Sequence, residues 1–544
     1  MSSTSSQEHI PRRTSPQPGF WHGAWLSFLL IVPLMALGYL ATRFVAVPFV
    51  PFSLFDWLAR VLPGPLITIG IDTMVGVMRA LNLAVAELAK LAEQGIAVTI
   101  FLLLSTLAGG VFFAVTKKSR ASWNAGLLLS LIVGLPLALV AWRVTQTGGS
   151  AISPVVAGAW TFLFVLVWGL LLTAVQRRLA LPTTMGISTE RLNRRQFIAY
   201  VGGAAAVITV VGAGVSASLG SRRELETELE PGELWSNENL LPNAGAPTDP
   251  VPGTRPEFTP LALHYRIDIN LTPPVIREDE WRLRVGGLVD TPTEMTLSEL
   301  RAFEPLNQFV TLSCISNPIG GDLIGTQRWT GVPLQRLLPA WGVQEEATHL
   351  RITSVDGFFE YVALEDIRND ERIMLTYAWD DVPLRIKHGF PLRIYIPNLY
   401  GMKQPKWIES IEAVSDWEPG YWVRRGWDGQ AVMKTTSFID TVAMNMLEAR
   451  EDGILPIGGI AHAGARGISR VEVQVDGGDW REAELRRPIS ETTWTLWRYE
   501  WPFEPGEHTF TVRAFDGGDA PQIVEPAPPH PSGATGLDEE RASI

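Results

Sequence analysis

Cysteine is almost missing from this 544-residue chain; Cys314 is the only one. A single thiol excludes an internal disulfide and any multi-thiolate metal site. If Cys314 carries chemistry, it works as a lone nucleophile or as one ligand to a group the chain does not supply. A lone cysteine is also often just a small buried hydrophobe, so its neighbours have to decide. Histidine is nearly as scarce in the first half. His22 is the only one between residues 20 and 260, so that region cannot build the paired axial imidazoles that would hold a haem. The second half lacks positive charge: residues 224–544 contain 28 Lys and Arg against 51 Asp and Glu. That balance argues against nucleic-acid binding, which needs a basic footprint to neutralise phosphates.

Residues 1–223 are the reverse, with 17 basic and 6 acidic residues in a strongly apolar background. Stretches at about 24–43, 95–115, 124–142, 155–175 and 197–219 each approach the ~20 residues needed to cross a bilayer core. The stretch 61–93 reads differently. It begins apolar, but Asp72, Arg79, Asn82, Glu87 and Lys90 suit an interfacial amphipathic helix or a re-entrant segment better than a clean span. Arg12 and Arg13 precede the first span; Lys117, Lys118 and Arg120 follow the second; Arg177, Arg178, Arg191, Arg194 and Arg195 lie between the last two. Placing all three groups in the cytoplasm gives five crossings and puts everything after about residue 222 on the extracytoplasmic side of the cytoplasmic membrane. A sixth crossing at 61–93 would move only the N-terminus. The run Asn193-Arg-Arg-Gln-Phe-Ile198, followed by moderately hydrophobic Ala- and Gly-rich sequence, resembles an internal, uncleaved twin-arginine signal. That route serves proteins that fold around a cofactor before export.

Residues 224–260, rich in Pro, Gly, Asn and acids, read as an extended linker. From 261 to about 440, short β-like runs (Trp281–Val285, Phe309–Leu312, Leu350–Thr353, Leu392–Ile396) alternate with helical stretches at Leu297–Phe303 and Leu334–Ala340, which predicts an α+β domain. Across 441–525 the pattern becomes alternating strands (Ile468–Val475, Trp480–Leu485, Thr493–Trp501, His508–Phe515) broken by Asp-Gly-Gly turns, which predicts an all-β sandwich. The tail 526–544 reads as disordered. The chain is thus expected to be multi-domain: a transmembrane helical region, an α+β domain and a sandwich.

Around Cys314 the sequence runs Thr311-Leu-Ser-Cys-Ile-Ser-Asn317, then Gly320-Gly-Asp-Leu-Ile-Gly-Thr-Gln-Arg-Trp-Thr-Gly-Val-Pro-Leu334. Farther on comes His388-Gly-Phe-Pro-Leu-Arg-Ile-Tyr-Ile-Pro-Asn-Leu-Tyr-Gly-Met-Lys-Gln-Pro-Lys-Trp-Ile408. In this order the motifs resemble the molybdopterin domain of the sulfite oxidase family, over roughly residues 261–440. The later strands Val-Glu-Val-Gln-Val-Asp-Gly-Gly and Thr-Val-Arg-Ala-Phe-Asp-Gly-Gly are similar to that family's immunoglobulin-like dimerisation domain. The resemblance implies that the Cys314 thiolate is the sole protein ligand to molybdenum. It also implies that Tyr265, Arg266, Thr353, His388, Arg393, Lys403 and Lys406 hold the pterin and its phosphate. Guanidinium forks and lysines suit such an anionic tail.

Asn317 and Arg328 are expected near the substrate, with Trp329 and Trp407 as walls. The sulfite-oxidising members follow the cysteine with Asn-Arg, whereas this chain has Asn317-Pro318. The anion-binding arginine is absent from that position, which puts sulfite in question as the substrate; Arg328 or Lys406 would have to replace its charge. The implied activity is two-electron oxygen-atom transfer on a small molecule, sulfur compounds being the candidates, with a separate cytochrome or a quinone as electron partner and the sandwich as a homodimer contact. Two other readings stay open at this point. One is a membrane-tethered interaction protein on a degenerate scaffold. The other is a cysteine hydrolase using Cys314 with His264 or His388 as base.

Overall fold

The structure, a computed structural model, describes residues 19–45, 47–81, 83, 85–117, 121–147, 152–179, 202–203, 205–211, 241–444 and 453–543. It divides into two units. One comprises 1–57, 94–146 and 152–227, the other 58–93, 147–151 and 228–544. The stretch 58–93, expected to belong with the membrane region, therefore groups with the C-terminal domains.

The described helices that come first are α1 (Phe20–Phe44), α2 (Val50–Val61), α3 (Gly64–Ala80), α4 (Val85–Val115), α5 (Trp123–Thr147) and α6 (Pro154–Leu179). Among the described residues, four helices are long and apolar enough to cross a membrane: α1, Leu88–Val115 of α4, α5 and α6. They make the protein membrane-associated. The expected span at 197–219 lies largely outside the described residues, as do Arg194 and Arg195 of the twin-arginine run. The helices pack through small residues, as helices in lipid do when no hydrophobic effect drives them together. A Cβ on Gly126 of α5 would collide with Thr173 of α6, and one on Gly169 of α6 would collide with Ser130 of α5.

In the second unit, β1 (Leu283–Gly287), β2 (Thr293–Met295), β3 (Leu306–Ser313), β4 (Ile324–Pro333), β5 (His349–Ser354), β6 (Phe359–Ala363), β7 (Met374–Trp379), β8 (Val382–Pro383), β9 (Arg393–Tyr395) and β10 (Ile408–Val414) form two sheets. One has the order β2-β1-β10-β5-β6, the other β3-β4-β7-β8 with β9 on β7. Among the described strands of these two sheets, β1 and β10 pair in parallel. Short helices α7 (Leu297–Arg301), α8 (Leu334–Trp341) and α9 (Leu364–Asn369) bury Leu297, Leu300, Leu334, Leu337, Trp341 and Ile367 in one core with β1, β5 and β10. α7 starts on a capping box in which Thr296 and Glu299 exchange hydrogen bonds, as the sequence pattern requires.

The β-sandwich begins at β11 (Thr436–Val442) and continues through β12 (Ile454–His462), β13 (Ile468–Val475), β14 (Arg481–Glu482), β15 (Glu484–Leu485), β16 (Thr495–Pro502), β17 (Glu507–Asp516) and β18 (Asp538–Ser543). Its sheets, β11-β12-β16-β15 and β14-β13-β17-β18, enclose Leu455, Ile457, Val471, Val473, Trp497 and Phe510. Trp497 and Trp501 thus fill the sandwich's own core.

Two expectations are corrected here. The tail is ordered, because β18 pairs with β17 from Glu507↔Ser543 to Val512↔Asp538 and thereby covers an edge that would otherwise expose unpaired backbone groups. Residues 241–260 are also not an extended linker. The buried Arg486 guanidinium donates to Glu257 Oε2 (3.0 Å) and to the Thr248 carbonyl (2.7 Å), fastening this segment to the sandwich.

Candidate active site

Cys314 sits where β3 ends. Its backbone N–H donates to the Leu323 carbonyl (2.9 Å), which closes the loop 314–323 at the mouth of the β3–β4 hairpin. Asn317 secures that loop from within: its N–H donates to the Cys314 carbonyl (3.0 Å), and its Oδ1 accepts from Leu323 N–H (2.9 Å). The thiol is buried, with Sγ 3.0 Å from Ser316 Oγ. Burial pushes its pKa up, and the Ser316 contact offsets this in part. A raised pKa and a serine partner do not make an activated cysteine nucleophile.

The thiol opens on a cavity of about 150 Å3. Tyr265, Leu312, Ile315, Ser316 and Leu323 surround the sulfur. Arg393 and Lys406 line a basic end together with Asp268, Ser354, Asp356 and Gln404. The Arg393 guanidinium is buried over the rings of Trp329 (4.7 Å) and Trp379 (4.9 Å) and donates to the His388 carbonyl (3.1 Å). Burial lowers its pKa to about 9. Lys406 Nζ donates to Asp268 Oδ2 (3.1 Å) and the Ile267 carbonyl (3.2 Å); burial outweighs Asp268 and brings its pKa down to about 8. Despite its burial, Asp268 is held well below the usual carboxylate range by Arg266, Lys406 and Lys90. One carboxylate therefore serves three cations. Gly389 makes this closeness feasible: its φ of +115° suits only glycine, and a Cβ there would press on the Cβ atoms of Lys406 (3.1 Å) and Arg393 (3.2 Å).

Behind Arg393, His264 and His388 flank Trp379, with ring centroids 4.8 and 4.9 Å from it. Burial lowers both imidazole pKa values, that of His264 to about 3, so both rings are neutral. Among the described residues, His264 Nε2, His388 Nε2, Arg393 Nε and Ser354 Oγ are buried without hydrogen-bond partners. Buried polar atoms are rarely left this way. Unpartnered donors and under-neutralised cations within reach of one thiol fit an anionic, hydrogen-bonding cofactor that also takes a soft sulfur ligand.

The structure thus brings Cys314, Tyr265, Arg393 and Lys406 to one cavity, with His388 just behind its wall. The other expected residues take different places. Arg266 pairs with Asp268 (2.8 Å) off the cavity wall, and Lys403 is buried against Glu360. Thr353 is one residue out of phase: side chains alternate along β5, and its neighbour Ser354 faces the cavity. Arg328 pairs with Phe309 in the β3–β4 ladder, five positions from Cys314, and forms an ion pair with Asp381. It does not reach the thiol. Asn317 touches the cysteine loop rather than the cavity. Trp407 lines the cavity, whereas Trp329 stacks beneath Arg393. Sequence reasoning missed Asp268, Ser354, Asp356 and Gln404, and all of the side chains that α3 and α4 contribute.

Residues 270–422 match the family model described as an oxidoreductase molybdopterin binding domain. The chain is 32% identical over 148 residues to the uncharacterized oxidoreductase YuiH of Bacillus subtilis, covering 27% of this chain and 72% of that protein. It is 26% identical over 272 residues to the sulfite oxidase of Arabidopsis thaliana (41% and 69% of the two chains). To the putative protein-methionine-sulfoxide reductase subunit YedZ1 of Azospira oryzae it is 28% identical over 148 residues (27% and 54%). These matches support an oxidoreductase rather than a cysteine hydrolase as the description of the domain. The chain belongs to the sulfite oxidase family of molybdopterin-dependent oxidoreductases, and molybdenum bound to molybdopterin is its cofactor.

Proposed function

We propose that the protein is a membrane-anchored enzyme that carries out two-electron oxygen-atom transfer at sulfur in a small molecule, outside the cytoplasm. The observation that carries this reading is the single cavity joining the Cys314 thiol to the buried cations Arg393 and Lys406. When bound, the molybdenum cofactor would supply the oxygen-atom transfer itself. Cys314 would hold the metal as a thiolate, which requires its proton to leave on loading, because burial keeps the free thiol protonated. Arg393, Lys406, His264 and His388 would bind the anionic end of the pterin, and Ser354 and Gln404 its polar edge. Tyr265, whose pKa burial raises, stays a neutral hydroxyl beside the thiol. The tight loop built on Asn317 fixes the direction of the Cys314 side chain.

Sulfur as the reacting element is supported by two relatives whose names specify sulfite and methionine sulfoxide. A substrate other than sulfite is supported by Pro318 in the arginine position and by Arg328, which spends its charge on Asp381. The extracytoplasmic side rests on the distribution of basic residues between the apolar segments. A separate cytochrome or a quinone would exchange electrons with the site, because His22 is the only histidine between residues 20 and 260 and cannot supply paired axial imidazoles to a haem there. Elemental analysis of full-length protein, expressed with cofactor biosynthesis, tests the reading. Near-stoichiometric molybdenum is expected in wild type, and loss of metal or of redox response in Cys314→Ser. Well-folded wild type without molybdenum would defeat it.

A further inference from the structure

One wall of the cavity comes from the segment 58–93. Ile71, Met74 and Val75 of α3 and Val85, Ala89 and Glu93 of α4 line it, and Met78, Val85 and Ala89 share one buried cluster with Tyr265, Leu312, Cys314 and Leu323. Polar contacts hold the segment there. Ala86 N–H, in the first turn of α4, donates to Asp322 Oδ2 (2.9 Å), and Lys90 Nζ donates to the Asp268 carbonyl (2.7 Å). Arg60, at the end of α2, donates to Asn270 Oδ1 (3.0 Å), and its carbonyl accepts from Arg425 Nη2 (3.0 Å). The contact is therefore latched at both ends.

The other face of the same segment is also apolar and, among the described residues, exposed. Leu66 (55% exposed), Ile69 (61%) and Val77 (53%) project from α3, and Leu81 and Leu91 (64% each) follow. Leu66, Ile69 and Val77 recur at helical spacing on the side away from Ile71, Met74 and Met78. A helix apolar on two faces needs an apolar medium on the second. At 17 residues, α3 would extend about 26 Å, short of the ~30 Å hydrocarbon core, so it suits the bilayer surface rather than a crossing. α4 confirms the neighbourhood by chain continuity. Ala89, which lines the cavity, falls within the first turn of Leu88–Val115, one of the four stretches fit to cross a membrane.

We propose that residues 58–93 form a lid whose outer face rests in the bilayer surface and whose inner face is the substrate wall of the Cys314 cavity. The enzyme accordingly takes an uncharged molecule with an apolar body that partitions into the bilayer, and excludes hydrated oxyanions. The identity of this molecule as the substrate rests on the oxygen-transfer reading above; the lid itself does not.

The sole cysteine supplies a probe. Cofactor-free full-length protein in lipid nanodiscs is labelled with N-phenylmaleimide or with a sulfonated maleimide, and each rate is divided by the rate for the detergent-unfolded chain. The apolar reagent should label Cys314 about tenfold faster, the ratio that roughly 1.4 kcal/mol of differential access gives. Ile69→Asp and Val77→Asp on the outer face should reduce that preference in nanodiscs, and Lys90→Ala should admit the charged reagent by loosening the latch. Circular dichroism on each variant separates these effects from misfolding. Equal normalised rates in wild type, or a preference unchanged by all three substitutions, would overturn the lid. Labelling needs no metal, so absence of molybdenum would defeat the oxygen-transfer reading while leaving the lid result standing, and stoichiometric molybdenum with equal rates would defeat the lid alone.

Discussion

At the basic end of the cavity Arg393 and Lys406 are buried, and Lys406 pairs with Asp268. At its apolar end the segment 58–93 presents Ile71, Met74, Val75, Val85 and Ala89, with Glu93 as its one charged lining residue. The basic end carries a cost in the free protein: both cations have lowered pKa values, and several buried nitrogens have no partner. Such an arrangement makes sense when a tightly held anion completes it. The apolar end carries no such cost and needs no ligand to be stable. One end is therefore built to keep a cofactor, and the other to sort what approaches it.

Three experiments bear on that division. The largest effect should come from Arg393→Ala, which removes a buried charge-assisted donor worth about 1.5–3 kcal/mol to an anion. Molybdopterin content after gel filtration should fall about tenfold or more, with Arg393→Lys intermediate because it keeps charge but loses the fork. Unchanged cofactor content in Arg393→Ala would mean that the basic end is structural.

The second concerns pH. Lys406 has a folded pKa of about 8 against the ordinary lysine value of 10.5. Between these values the unfolded chain holds a proton that the folded chain has released, so stability should rise as pH increases from about 8 to 10.5. The whole gain is on the order of 3 kcal/mol. Denaturant unfolding of the cofactor-free protein should show this slope, and Lys406→Met should lack its share. Bound anionic cofactor should raise the Lys406 pKa and flatten the curve.

The smallest effect should come from Arg328→Ala. Its partly exposed ion pair with Asp381 belongs to a class worth about 0–1 kcal/mol, and the residue does not reach the thiol. Turnover should stay within about twofold of wild type, a change of under ~0.5 kcal/mol. A large loss would show that charge from this strand acts on the reaction, against the division drawn above.

How much of this was legible in the sequence differs between the two ends. The basic end was readable because its residues are local to motifs: Gly389 between His388 and Phe390 marks the turn that lets Arg393 and Lys406 approach each other, and Cys314 stands at a strand end. The structure differs from expectation there in phase, with Ser354 rather than Thr353 lining the cavity, and in direction, with Arg328 carried away from the cysteine by its strand. The apolar end was not readable as part of a site. Its residues precede the cysteine by more than 200 positions, and hydrophobicity on both faces of α3 erases the one-sided periodicity that would have identified a buried surface. The ordered tail was hidden for a related reason. β18 is mostly charged and gains its place through backbone pairing with β17, which composition does not register.

The early position of 58–93 in the chain also bears on biogenesis. These residues leave the ribosome well before the domain they line, attached directly to a stretch long and apolar enough to cross a membrane. On the lid proposed above, the catalytic domain would meet its cover only after that cover has been made. Loading the pterin before the two meet avoids breaking the Ala86–Asp322 and Lys90–Asp268 contacts, whereas later exchange of a damaged cofactor would have to reopen them.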